Sequence, residues 1–218
     1  MNKLTYIAIH HTGGIKNNRF TSTQYVTPKQ VNQVHGAQWN FPSEYIPNQY
    51  GGYNFLYSPI TRKIHQFRAL GEETAAQVGW NKSAISICIA GNYSLLPNGK
   101  PVDIMDATTE KDLADLCLSL ISGEHDWVIA PGASLDLSIS RIHPHRWYQP
   151  HTECYGNSLS DSWLRDVLSS YKKKDDKSEI ERRHKIMKQI QKLLLQLQAL
   201  LKQKPLGAIG HATDRELP

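Results

Sequence analysis

Cysteine is scarce in this 218-residue chain: Cys88, Cys117 and Cys154 are an odd, widely spaced set that makes no disulfide framework. Any chemistry at a cysteine is then metal or nucleophile chemistry. Long apolar runs are missing too, with nothing near the roughly 18 residues that a membrane span needs. The start, Met1 to His10, lacks the apolar stretch and small-residue cleavage site of a signal peptide, so synthesis in a cytoplasm without an export signal is expected. No compositional extreme is present: 39% hydrophobic and 21% charged residues exclude collagen-like, mucin-like and wholly disordered classes. No internal repeat of about 20 to 50 residues is visible.

Histidine, by contrast, is plentiful: ten residues, a first pointer to a metal. The net charge of +5 is unevenly placed. Residues 1–171 are near neutral, whereas 172–204 hold 11 Lys and Arg against 4 Asp and Glu. No nucleic-acid partner is expected.

Apolar and β-branched residues from Thr5 to Ile9 predict a buried strand that delivers a histidine to its end at His10-His11, before Gly13-Gly14. Thr27-Pro28-Lys29-Gln30 predicts a helix start with a capping box, and Val31, Val34, His35 and Gln38 share one face. Further strands are expected over Tyr53 to Ser58, Ile64 to Phe67, Ile85 to Ala90 and Trp127 to Ala130. A helix follows from Thr109 to a stop at Gly123, and Ser160 is expected to cap another, with Trp163 and Val167 inward. Residues 143–154 read as loop. Alternating strands and helices predict an α/β fold, a mixed central sheet flanked by helices.

Residues 172–177 read as a charged linker, and from Ser178 the pattern changes. Ile180, Met187, Leu194 and Leu201 recur every seven residues, Ile190 and Leu197 fill between them, and Ile186, Leu193 and Leu200 widen the stripe. This is a basic amphipathic helix, expected to self-associate in more than two strands or pack on a partner, or else to meet an anionic surface. The tail 205–218 reads as coil. Three parts result: a body over 1–171, the helix over 172–204, and the tail.

Strand alternation puts Tyr6, Ala8 and His10 on one face and Ile7, Ile9 and His11 on the other. Only one of the paired histidines can readily look into a given site. A catalytic zinc takes three nitrogen or sulfur ligands and keeps one position for water. The segment from Ile142 to Cys154 supplies both histidines and a cysteine in polar surroundings, unlike Cys88 and Cys117, which sit in apolar runs. By itself this pattern fits a loop of exposed histidines as well as it fits a metal site.

Four motifs then occur in order: Ile9-His10-His11-Thr12, Gly52-Tyr53-Asn54-Phe55, Ile85 to Asn92, and His145-Arg146 followed by Thr152-Glu153-Cys154. Together they resemble the type 2 N-acetylmuramoyl-L-alanine amidases, the zinc family of phage lysozyme-type amidases and peptidoglycan recognition proteins, over residues 4 to about 170. The resemblance implies zinc held by His10, His145 and Cys154, with Tyr53 and Thr152 as donors to the oxyanion. It implies hydrolysis of the amide between N-acetylmuramic acid and L-alanine in peptidoglycan, by a phage or prophage lysin released to the wall or carried on a virion. A peptidoglycan-binding module without catalysis, or a structural phage component, are the competing readings. Departures from the family pattern are Cys154-Tyr155-Gly156 in place of Cys-Pro-Gly, and one extra residue before Cys154, which makes His143 an alternative ligand. Ala76-Gln77 replaces a groove histidine, and Cys88 stands where one cytosolic branch has a glutamate. His11 and His35 are expected as supporting or core residues, His65, His125 and His151 as solvated, and Arg68 and Trp80 as candidate lining of a sugar groove.

Overall fold

A short strand β1 (Lys3–Leu4) leads into β2 (Tyr6–His11), the run expected to deliver a histidine. The computed structural model describes residues 2–13 and 21–203, with side chains beyond Lys172 described over 184–194. Gly14, the tail 205–218 and the side chains of Ile180, Leu197, Leu200 and Leu201 lie outside the described residues. Helix α1 (Pro28–Trp39) starts as its sequence demands: the Thr27 side chain accepts from the Gln30 amide, and the Gln30 side chain accepts from the Thr27 amide. Only Val31 is buried on it, and Val34, expected on the inner face, is exposed. Strands β3 (Phe55–Ser58), β4 (Lys63–Gln66) and β5 (Ala84–Ile89) follow, then helix α2 (Ala107–Ser122). That helix begins slightly before Thr109, because the Asp106 carboxylate caps the Thr109 amide at 2.7 Å, and it ends at Gly123 in the left-handed region.

Two readings of the later chain need correction. Trp127 to Ala130 is no strand. The Gln66 side chain binds both the amide and the carbonyl of Val128, and backbone pairing is limited to one isolated bridge, in which the Leu70 amide donates to the Val128 carbonyl and the Ala130 amide to the Leu70 carbonyl. Strand β1 pairs in parallel with a short strand further on, β6 (Ser134–Leu135). Residues 143–154 are not all loop: β7 (Ile142–Pro144) runs into a single helical turn, α3 (His145–Tyr148). Pro144 is tolerated there because β7 is an edge strand.

The main sheet has the order β4-β3-β5-β2-β7, with β4 antiparallel to β3 and every other pair parallel. Alternation along β2 sorts as expected. Ile7 and Ile9 join Ile85, Ile87, Ile89, Phe55 and Tyr57 in a core closed by Leu113, Leu116, Cys117 and Leu120 of α2. Each fully buried Leu or Ile of this kind contributes about 1.5–3 kcal/mol of transfer free energy. The other face carries Ala8, Leu56 and Cys88, covered in part by Val31 of α1. Parallel register places Cys88 directly beside His10 on that second face.

The last helix, α4, spans Trp163–Gln203, without the linker expected at 172–177. Leu164 and Leu168 are its buried core residues, with Trp163 and Val167 packed at the edge. The chain divides into two compact units, 1–171 and 172–218. In the second, Ile186, Met187, Ile190, Leu193 and Leu194 are all exposed. Among the described residues, no helix is long and apolar enough to cross a membrane.

Candidate metal centre

From β2 the chain runs on to β3, beyond β5, whereas after β5 it returns to β7 on the other side of β2, so the connections from the carboxyl ends of these two adjacent strands run in opposite directions. That is where open α/β sheets place ligands. His10 stands at this end, and His145, opening α3 directly after β7, brings its ring centroid to 4.4 Å from that of His10. Cys154 closes the group: ligand atoms of His10, His145 and Cys154 all lie within 4.8 Å of one another. His10 Nδ1 is 3.9 Å from Cys154 Sγ.

The loop that carries Cys154 is pinned by Arg146, whose guanidinium donates to the Gly156 and Leu159 carbonyls and pairs with Asp161. The Arg146 amide donates to the Cys154 carbonyl at 2.9 Å. Gly156 has φ +94, and a side chain there would meet the Tyr93 carbonyl at 2.3 Å, so glycine is required. Tyr155 separates Cys154 from this glycine. The His11 amide donates to Cys154 Sγ at 3.4 Å, and His11 Nδ1 accepts from the Tyr93 amide at 3.2 Å.

Burial dominates the electrostatics. It holds His10 well below its ordinary value, aided by the neighbouring His145, and it lowers His145 against the opposing effect of Gln149. It pushes the Cys154 thiol up to about 12, although the His11 amide and Arg146 pull the other way. Both imidazoles are therefore neutral, as ligands must be, and a dication is the partner that makes a buried thiolate favourable. Two imidazole nitrogens and one sulfur, with no carboxylate, are donors that could hold a metal ion, and their softness suits zinc rather than magnesium or calcium.

Tyr53 puts its ring centroid 5.2 Å from that of His10. Burial, then the nearby Cys88 and Cys154, raise its phenol well above the ordinary value, which keeps it a hydrogen-bond donor. It lines an apolar cleft of about 220 Å³ with Thr12, Val26, Val31, Val34 and His35. On another side, Thr152 and Cys154 line a polar cleft of about 450 Å³ with His11, Ser94, His151 and Glu153. The Thr152 hydroxyl accepts from the Cys154 amide at 3.2 Å, which leaves its own proton to donate.

His143 takes another role. Its ring stacks on Trp147 at 4.0 Å and its Nδ1 faces Arg165 at 3.2 Å, outside the three-residue group. His35 accepts from the Gly52 amide at 2.9 Å through Nδ1 and lies 5.5 Å from the Tyr53 ring, so it orients the segment that carries Tyr53. Arg68 does not line a groove: it is fully buried, pairs with Glu72 at 3.0 Å and donates to the carbonyls of Gly51 and Phe41. Trp80 packs edge-on to Tyr6 at 5.1 Å. His65 and His125, expected in solvent, are half-buried, the first near Gln49 and the second with both ring nitrogens enclosed.

Two glutamines touch the imidazoles, Gln77 at His10 and Gln149 at His145. Gln149 follows His145 by one helical turn, a spacing visible in the sequence. Gln77 stands out locally only as a departure from the family pattern.

No family's sequence model and no curated protein matches this chain. Solved structures do. The Ph2119 endolysin from Thermus scotoductus MAT2119 bacteriophage Ph2119 is 20% identical, aligned over 77% of this chain and 86% of its own, with a TM-score of 0.52. The N-acetylmuramoyl-L-alanine amidase LysC from Clostridium intestinale URNW is 18% identical over 77% and 85%, with a TM-score of 0.47. Drosophila PGRP-LB is 18% identical over 78% and 82%, with a TM-score of 0.48. At such identities the likeness is one of fold: this chain has the fold of the phage endolysin.

Proposed function

We propose that this chain is a zinc-dependent N-acetylmuramoyl-L-alanine amidase that cuts bacterial peptidoglycan, acting on the wall as a phage or prophage lysin. The observation that carries the reading is the convergence of His10, His145 and Cys154 within 4.8 Å at the carboxyl end of β2. The motifs of the type 2 amidases and the fold shared with a phage endolysin support it.

Zinc bound there supplies a Lewis acid for the scissile carbonyl and a water whose pKa falls to about 7. The chain's own residues do the rest. Tyr53, kept protonated by burial, donates to the oxygen that becomes negative as water adds to the amide carbon. Thr152 is the second donor, its hydroxyl oriented by the Cys154 amide. Arg146 and the His11 amide keep Cys154 in place throughout.

Release of L-alanine amino groups from purified sacculi, with and without a chelator, tests the reading. Chelator-sensitive release is expected, and its absence would sink the enzyme. A binding module is the reading that would remain if wild type and Cys154→Ala bound sacculi equally and neither cut. We infer also that residues 172–204 join copies of the chain, since the described part of their stripe exposes Ile186, Met187, Ile190, Leu193 and Leu194 together.

A further inference from the structure

Each imidazole of the metal group meets a glutamine carbonyl on one of its two nitrogens. His10 Nε2 lies 3.1 Å from Gln77 Oε1, and His145 Nε2 lies 2.6 Å from Gln149 Oε1. The two amides come from unrelated parts of the fold. Gln77 reaches in from the loop between β4 and β5, whereas Gln149 follows α3 and donates its backbone amide to the His145 carbonyl.

An amide oxygen only accepts, so each imidazole carries its proton on Nε2 and keeps the Nδ1 lone pair for an ion. His10 Nδ1 is indeed the atom that faces Cys154 Sγ. Gln77 makes a further contact. Its oxygen also accepts from Ser86 Oγ at 2.8 Å, and its buried Nε2 has no hydrogen-bond partner among the described residues. Turning the amide over would aim that N–H group at His10 Nε2 and drive the imidazole proton onto Nδ1, the ligand atom. The orientation that leaves a donor unmatched is the one that serves the metal.

Charge is the second consequence. Zinc with one thiolate and two neutral imidazoles carries a net +1. Carboxylates in place of the two glutamines would bring the same assembly to −1. Metal-bound histidines are often oriented by a carboxylate, which raises ligand basicity.

We propose that Gln77 and Gln149 are a pair of neutral positioning residues, which fix the tautomer of both metal-binding imidazoles without cancelling the positive charge of the site. The proposal rests on the zinc reading above. Its test is zinc affinity of the full-length protein, measured by competition with a chromogenic chelator, beside hydrolysis of sacculi. Gln149 is half-buried, so its variants perturb folding least. Gln149→Leu is expected to weaken zinc binding by about 10- to 100-fold. Gln149→Glu keeps or tightens zinc binding yet hydrolyses about tenfold more slowly. Gln77→Glu, close in shape, repeats that split. Zinc affinity of Gln149→Leu within twofold of wild type overturns the positioning role, and wild-type hydrolysis by both Glu variants overturns the need for neutrality. Wild-type protein that binds no zinc removes the metal reading itself, an outcome distinct from unaltered variants of a zinc-binding protein.

Discussion

Helix α2 and the 184–194 stretch of α4 carry similar apolar stripes and meet opposite fates. Leu113, Leu116, Cys117 and Leu120 are buried against the sheet, whereas Ile186, Met187, Ile190, Leu193 and Leu194 are exposed. Helical periodicity declares which face will be covered and is silent about what covers it. In the body, the answer lies in the same chain. In the second unit it lies, by the inference made above, in another copy.

The contrast has its largest expected consequence at the metal. His10→Ala or Cys154→Ala should abolish stoichiometric zinc and all hydrolysis, whereas a chain ending at Tyr171 should keep both. Metal analysis of the three proteins decides, and zinc loss on truncation would break the separation of the two regions. Next in size, Tyr53→Phe should retain zinc and slow hydrolysis by about 10²–10³, the usual effect of losing one oxyanion donor. Loss of zinc in that variant would mean that the tyrosine has been given the wrong task.

Stability should divide the same way. Leu113→Ala, in the closed core, is expected to cost about 2–5 kcal/mol in the unfolding of the body, whereas Leu194→Ala should shift that transition by less than about 0.5 kcal/mol. Urea titrations of both variants compare them directly, and equal losses would contradict the exposure of Leu194. In sedimentation, the full chain should exceed the mass of a monomer and the chain ending at Tyr171 should not; monomers in both would remove self-association.

A further effect concerns pH. Burial, then the charge of Arg68, lowers His35 from 6.5 to about 4. Between those values the unfolded chain binds more protons than the folded one, so stability from this group is complete above about pH 6.5 and declines as the pH falls toward 4. The urea midpoint of metal-free protein should fall between pH 7 and pH 5, less steeply in His35→Gln. An identical slope in the two proteins would show that His35 is not held neutral.

Much of the body was legible because its strands alternate and its helix starts are chemically marked. Tyr6, Ala8 and His10 sort from Ile7 and Ile9 by the pleat alone, and Thr27-Pro28-Lys29-Gln30 builds the cap it spells. Trp127 to Ala130 misled because an apolar run predicts burial rather than pairing: Trp127 packs edge-on to Phe55 at 5.1 Å, while Gln66 occupies the backbone of Val128. The short β6 had no pattern to find. Arg68 read as groove lining because nothing local announced that Glu72, four residues on, would be buried with it at 3.0 Å.

What the amino-acid order determined by itself, then, is most of the local structures and the candidate donors: an imidazole at a strand end, others in a late loop, and a thiol in a polar segment. Tertiary structure alone decided that these three meet within 4.8 Å, that Gln77 reaches His10 across 67 residues, and that Arg68 closes a loop instead of lining a groove. The reason is physical. Periodicity and capping are set by neighbours within one turn or one pleat, whereas a buried polar contact exists only where distant strands have already been brought into register.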